Sequence, residues 1–448
     1  MTHNGIFTYG GKMTTEIIDT NCGKIVGEER ENCRAFLGIR YARANRFEKP
    51  ERVTEWDGVY EATAFRACCP QARAYENEAE YKNPFYFKEF RQGLKFTYDE
   101  DCLFLNIYAP ACAHARAEER TEANAEEQTE ANAKAHVKAN SQKYPVLVFI
   151  HGGNFTKGSS DELPFDGEEY CKRGIVFVTL NYRLNVFGFF ADGEHAGGNF
   201  GLYDQACAIE WIRENISAFG GDPENITLMG QSAGAMSVQS LICSPLMRGE
   251  IRRAIMLSGG GTRGIILPER KPDTAFWKSV IKKSGADSFE DFKTMPAKDV
   301  FYAWKNASAI KSLFATAPVV DGEIIDGANS GCAIPCIVGR VQKDMFPPEL
   351  DRMVRRFAKT LNKNGAECYV YRFEHSLPGD DKGTFHSADL WYMIGALKNS
   401  FRPFVSADRE LSDSIIDRFA AFMRTDSPNV GNNDWKPYKN KKDIFVFE

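Results

Sequence analysis

Short apolar runs rich in Val, Ile, Leu and Phe, each ended by a glycine or a polar turn, alternate with longer amphipathic stretches along most of this chain. That alternation leaves little choice of architecture. A strand that is apolar throughout is buried on both faces, and strands separated by helical crossovers pair in parallel. The runs read as strands are Pro145 to Ile150, Ile175 to Leu180, Ile226 to Met229, Ala254 to Leu257, Cys336 to Val338, Cys368 to Phe373 and Ile444 to Phe447. Tyr203 to Phe219, Leu350 to Asn362 and Asp408 to Arg424 carry helical periodicity, and Gly220 and Gly365 stand where helix C-caps belong. The expected class is α/β, with a mostly parallel central sheet and helices on both faces.

Composition narrows the function. The 448 residues are 43% hydrophobic and 26% charged, enough to bury a large core, and large α/β sheets of this length form one unit, so a single domain over 1–448 is expected. The 56 basic and 61 acidic residues are interspersed, which offers no footprint for nucleic acid. No run is long and apolar enough for a membrane span, and the opening MTHNGIFTYGGKMTTEIIDT has no basic region followed by an apolar one. A cytoplasmic protein is expected. Its twelve cysteines show no C-x-x-C pairing, so they are expected to be reduced and buried rather than metal ligands, and no cofactor is implied. One segment, residues 111–143, repeats TEANA and has almost no large apolar residue. It reads as a solvated surface insertion between two strands.

The chemistry centres on Gly230-Gln231-Ser232-Ala233-Gly234, which follows the strand-like NITLM and precedes a helix-like run. A chain that reverses this sharply holds its serine in a strained conformation, and the flanking glycines remove Cβ clashes. The context resembles the nucleophile elbow of the α/β-hydrolase fold, with Ser232 as nucleophile. His151-Gly152-Gly153-Asn154 follows the strand PVLVFI, where such esterases carry an oxyanion loop. Attack on an ester carbonyl creates an oxyanion that needs preorganised N–H donors. Gly153, Asn154 and Ala233 are the candidates, and His151 reads as a brace for the loop.

In this fold the acid and the histidine follow the serine. Only His375 and His386 do. His375 closes a strand, whereas His386 lies in a polar loop ahead of a new helix, so His386 is the expected base. Asp344 lies just past the strand IPCIVGRV and is the expected acid, with Asp321 and Glu349 as competitors for that role.

These residues carry a wider resemblance. FLGIRYARANRFEKP, EDCLFLNIYAP, LNYRLNVFGFF, FGGDPENITLMGQSAGAMSV and GTFHSADLW occur in the order found in type-B carboxylesterases, a family that includes the cholinesterases. The resemblance implies an α/β-hydrolase with helical insertions over the active site, cleaving small-molecule carboxylic esters through an acyl-enzyme. The family often has Glu where Asp344 stands and Glu where Gln231 stands. It also implies that Cys69 and Cys102 correspond to a disulfide in secreted relatives, although thiols are expected here. Two other outcomes fit the same chain: a non-catalytic binding member of the fold, and an amide, lactone or thioester hydrolase on the same residues.

Because the insertion has little apolar surface to bury, replacing Ala113 to Asn140 with a short Gly/Ser linker should leave thermal unfolding and ester turnover close to those of the intact chain. A cooperative loss of either would show that the segment packs onto the fold.

Overall fold

The computed structural model describes residues 8–9, 12–82, 84–111, 143–260, 271–307, 316–326 and 332–448. Nearly all of the expected insertion, 112–142, lies outside them. Ten strands form the central sheet: β1 (Glu28–Glu29), β2 (Cys33–Arg40), β3 (Phe104–Pro110), β4 (Tyr144–Ile150), β5 (Val176–Leu180), β6 (Gly221–Gln231), β7 (Arg253–Leu257), β8 (Cys336–Val341), β9 (Cys368–Phe373) and β10 (Phe445–Phe447). Their order across the sheet is β10-β9-β8-β7-β6-β4-β5-β3-β2-β1. From β5 to β10 all pairings are parallel, while β1, β2 and β3 run antiparallel at the other edge. The mostly parallel sheet is as expected.

The principal helices are α1 (Phe200–Asn215), α2 (Ala233–Cys243), α3 (Thr274–Ser284), α4 (Phe289–Thr294), α5 (Ala297–Ala307), α6 (Pro347–Lys363), α7 (Leu390–Ile394) and α8 (Ser406–Thr425). Alternate strand residues feed two separate cores, as a pleated sheet covered on both faces requires. Val146, Val148, Ile150, Leu228 and Met256 face one core, which includes Trp211 of α1, Val238 of α2 and Phe357 of α6. Leu147, Phe149, Met229, Ile255 and Ile337 face the other, with Trp391 of α7 and Phe419 of α8. The strand β6 begins at Gly221, earlier than the apolar run suggests, because its first residues pair with Tyr144 at the sheet's incoming edge.

Two devices aim the sheet's outgoing end at one place. Ser232 follows β6 directly, and the glycine-rich loop from His151 follows β4, a neighbour of β6 in the sheet. Beyond β8, Lys343 N–H donates to both Thr384 O and Thr384 Oγ1 at 3.2 Å, and Lys343 and Phe385 form a parallel bridge. This backbone contact brings the residues next in sequence, Asp344 and His386, side by side.

A desolvated ion pair anchors the segment that carries His386. Arg402 donates to both oxygens of Glu89 at 2.8 Å, and neither side chain is exposed. Trp391 Nε1 donates to the same carboxylate at 2.8 Å, and Arg402 Nη1 donates to Pro378 O at 2.7 Å. Residues on both sides of His386 are thereby fastened to the short helix Phe85–Phe90. Removing one partner strands a buried charge, so Arg402→Leu should cost about 3–5 kcal/mol in urea unfolding, and adding Glu89→Leu should recover part of that loss. Equal stability of Arg402→Leu and the parent would contradict this account.

Candidate active site

Ser232 has φ 57° and ψ −121°, a conformation that an L-residue holds only under constraint from its neighbours. The flanking glycines explain how the turn is possible. A Cβ at Gly230 would come 2.4 Å from Gly234 O, and one at Gly234 would come 2.0 Å from Ile150 O. Ser232 N–H donates to Leu257 O at 2.8 Å, tying the elbow to β7, while Met236 N–H donates to Ser232 O at 3.1 Å as α2 begins. Ala233 therefore opens a helix, where backbone N–H groups lack intrahelical partners and the dipole is positive.

The oxyanion loop is equally confined. Gly153 has φ 110°, and a Cβ there would lie 1.9 Å from Lys157 O. Asn154 and Phe155 follow with φ 58° each, so asparagine occupies a left-handed position that it tolerates better than most residues. The loop abuts the elbow: a Cβ at Gly152 would meet Gln231 O at 2.6 Å and Ser232 Cβ at 3.2 Å. His151 stacks on Tyr182 with centroids 4.5 Å apart, and Tyr182 OH donates to His151 O at 3.0 Å. Burial pushes the His151 imidazole down to about 4, so it stays neutral and braces the loop.

His386 Nδ1 is 2.5 Å from Asp344 Oδ1. Asp344 is further held by N–H groups, from Met345 to Oδ1 at 2.7 Å and from Val341 to Oδ2 at 3.3 Å, and its side chain is fully buried. With Nδ1 protonated toward the carboxylate, Nε2 keeps its lone pair. The Gln231 amide donates to that nitrogen at 3.3 Å, which places the working edge of the imidazole beside the residue preceding Ser232. The competing acid Asp321 is engaged elsewhere: it accepts from Asn199 Nδ2 at 2.9 Å, Tyr203 OH at 3.0 Å and Ile325 N–H at 3.0 Å. Glu349 lies in the first turn of α6. His375 Nε2 pairs with Asp408 Oδ1 at 2.8 Å, a structural contact near the start of α8.

Three more residues lie beside the site, of which the sequence singles out only Gln231, for its place next to Ser232. Gln231 touches the imidazole, Tyr86 OH donates to His386 O at 3.3 Å, and Asp389 is buried just beyond the histidine. Tyr371 OH donates to Asp389 Oδ2 at 3.1 Å. Burial first, and the Asp344 charge second, push the Asp389 carboxyl up to about 7. Cys69 and Cys102 are side-by-side thiols, and no group of three or more His, Cys, Asp or Glu residues fit for a metal occurs among the described residues.

An elbow serine, an imidazole paired to a carboxylate and a glycine-rich loop thus meet at the ends of parallel strands in an α/β-hydrolase fold. The chain matches the carboxylesterase family over residues 14–346 and 350–447, and it belongs to that family. It is a carboxylic ester hydrolase. It is similar to the para-nitrobenzyl esterase of Bacillus subtilis, with 27% identity over 499 residues covering 95% of this chain and 93% of that enzyme. The bile salt-activated lipase of Bos taurus is 37% identical over 515 residues, covering 92% of this chain and 79% of its own. Among solved structures, the carboxylesterase of Geobacillus stearothermophilus superposes with a TM-score of 0.74 at 28% identity, covering 97% and 96% of the two chains. No helix of the described residues is long and apolar enough to cross a membrane.

The raised Asp389 carboxyl has a defined effect on stability. Its protonated form is favoured in the fold, so the stability it contributes is complete below the ordinary carboxyl range and is lost as pH rises toward about 7. Asp389→Asn keeps an acceptor for Tyr371 but cannot ionise. Urea unfolding at about pH 5 and about pH 8 should therefore show a smaller decline for the variant than for the parent. Identical declines would mean that Asp389 is already ionised in the fold at the lower pH.

Proposed function

We propose that the chain is one catalytic unit, a serine carboxylesterase in which Ser232, His386 and Asp344 act as nucleophile, general base and supporting acid. The observation that carries this reading is the Asp344–His386 contact, with the other nitrogen of the imidazole against Gln231, the residue that precedes Ser232. In this mechanism His386 Nε2 takes the hydroxyl proton as Ser232 Oγ attacks the ester carbonyl. The C=O electron pair moves onto oxygen, where the N–H groups of Gly153, Asn154 and Ala233 receive it. Collapse of the tetrahedral species breaks the bond to the alcohol, which leaves with the proton from His386. Water then repeats the sequence on the acyl-enzyme and releases the acid. Every proton and electron pair is accounted for by protein, ester and water, so the chemistry calls for no cofactor.

The expected partner is a small-molecule ester. Gln231 in place of a carboxylate leaves the elbow neutral, which favours neutral esters over cationic ones. Thiols at all eleven described cysteines support a reducing, cytoplasmic setting.

Ser232→Ala should lower ester turnover by about 10⁴-fold or more, leaving what oxyanion binding alone supplies. Asp344→Asn should lose several orders of magnitude in kcat, and Asp321→Asn far less, when folded variants are compared on a chromogenic ester. Labelling of Ser232 by a fluorophosphonate separates this reading from a non-catalytic binding protein. Wild-type turnover in Ser232→Ala would remove the serine from the mechanism.

A further inference from the structure

Away from the site, α6 and the segment before β10 enclose a groove of about 340 Å³. Eight residues line it, of which six are cationic: Arg352, Arg355, Arg356 and Lys359 on the helix, and Lys439 and Lys441 across from it. The other two are Tyr438 and Asn440. Tyr438 N–H donates to Cys368 O at 2.7 Å, which fixes the groove to the first residue of β9. That is the incoming end of the strand, opposite the edge that carries Ser232.

The groove's charges are not neutralised within the fold. None of the six cationic side chains is in an ion pair among the described residues, although the whole chain carries a net charge of −5. The two nearby carboxylates, Asp351 and Asp443, are fewer than the six cations. Asp351 is paired with Arg340 at 2.5 Å, and Asp443 accepts the N–H groups of Lys439 and Asn440 at 2.9 and 2.8 Å. Arg352 with Arg356, and Arg355 with Lys359, are like charges four residues apart on a helix, a mutually repulsive spacing. An anion between the two walls would relieve that repulsion.

The shape selects the kind of anion. Arg352 to Lys359 spans about 10 Å of helix, too long for a single phosphate and suited to several in a row. Guanidinium groups match phosphate oxygens in pairs, and Arg352 and Arg356 are exposed to do so. The Tyr438 ring is 2% exposed, so the groove presents no aromatic surface on which a nucleobase could stack. The nearest exposed large apolar side chains, Met345 and Phe346, stand before α6 begins and outside the groove's lining, so the groove itself presents none to lipid tails.

We propose that this groove binds a linear chain of phosphate groups, held between the arginines of α6 and Lys439 and Lys441. The test uses the full chain with medium-length inorganic polyphosphate as probe, and orthophosphate, oligothymidylate and phosphatidylglycerol vesicles as competitors. Polyphosphate should bind, weaken by about tenfold or more between about 50 mM and about 200 mM salt, and outbind all three competitors. The Arg352→Gln, Arg356→Gln, Lys441→Gln variant should lose about tenfold or more in affinity, with unchanged ester turnover and a Tm no lower than the parent's. A control removing the exposed cations Lys24, Arg248 and Lys278 should bind like the parent. Absence of binding at the lower salt, equal losses in the two variants, equal affinity for oligothymidylate, or preference for orthophosphate or vesicles would each overturn the assignment.

Discussion

The site depends on how closely helix α2 can approach strand β4. At Gly234 a side chain would lie 2.0 Å from Ile150 O, so the helix seats only because that residue has none. This contact sets the distance between two otherwise separate features, the elbow after β6 and the glycine-rich loop after β4. Ser232 keeps its φ of 57° because Leu257 O holds its N–H from one side while α2 pulls from the other. The strain is local, and the two-sided burial of the parallel sheet is what sustains it.

Asp344 and His386 come together by a different route. Neither Asp344 nor His386 sits in a strand or helix; both extend from loops that are zipped together through Lys343, Thr384 and Phe385. Nearby stands a second carboxyl, Asp389, which burial and the neighbouring Asp344 charge hold at about 7. Two carboxyl groups close to one imidazole are thus given different tasks by their surroundings. Asp344 is wrapped in N–H donors and meets the ring; Asp389 has Tyr371 OH and apolar packing.

Much of this was legible in the sequence, and for physical reasons. Apolar continuity marks strands that are buried on both faces, so β4, β5 and β9 were located within a residue or so. The glycines around Ser232 announce a close approach because no other residue could make it. Less was legible where partners are far apart in the chain. β2 was not assigned, since it pairs antiparallel at an edge and breaks its pattern at Gly38, φ 71°. The bonds from Gln231 to His386, separated by 155 residues, and from Glu89 to Arg402, separated by 313, leave no local periodicity or spacing to read. Asp344 is the expected acid from its place after a strand, with Asp321 and Glu349 as competitors. Its contact with His386 across 42 residues is not readable from the sequence, nor is the engagement of Asp321 by Asn199 and Tyr203.

The anchoring of the His386 segment gives the molecule two tiers of robustness. The serine is rooted between central strands, and losing it requires taking the sheet apart. The histidine hangs on a segment whose hold includes the Glu89–Arg402 pair, a contact between a short helix and a loop. Opening that segment alone breaks the Glu89–Arg402 contact but none of the strand pairings of the sheet. On the proposed mechanism, losing that contact alone would leave an intact sheet that still presents Ser232 with nothing to take its proton.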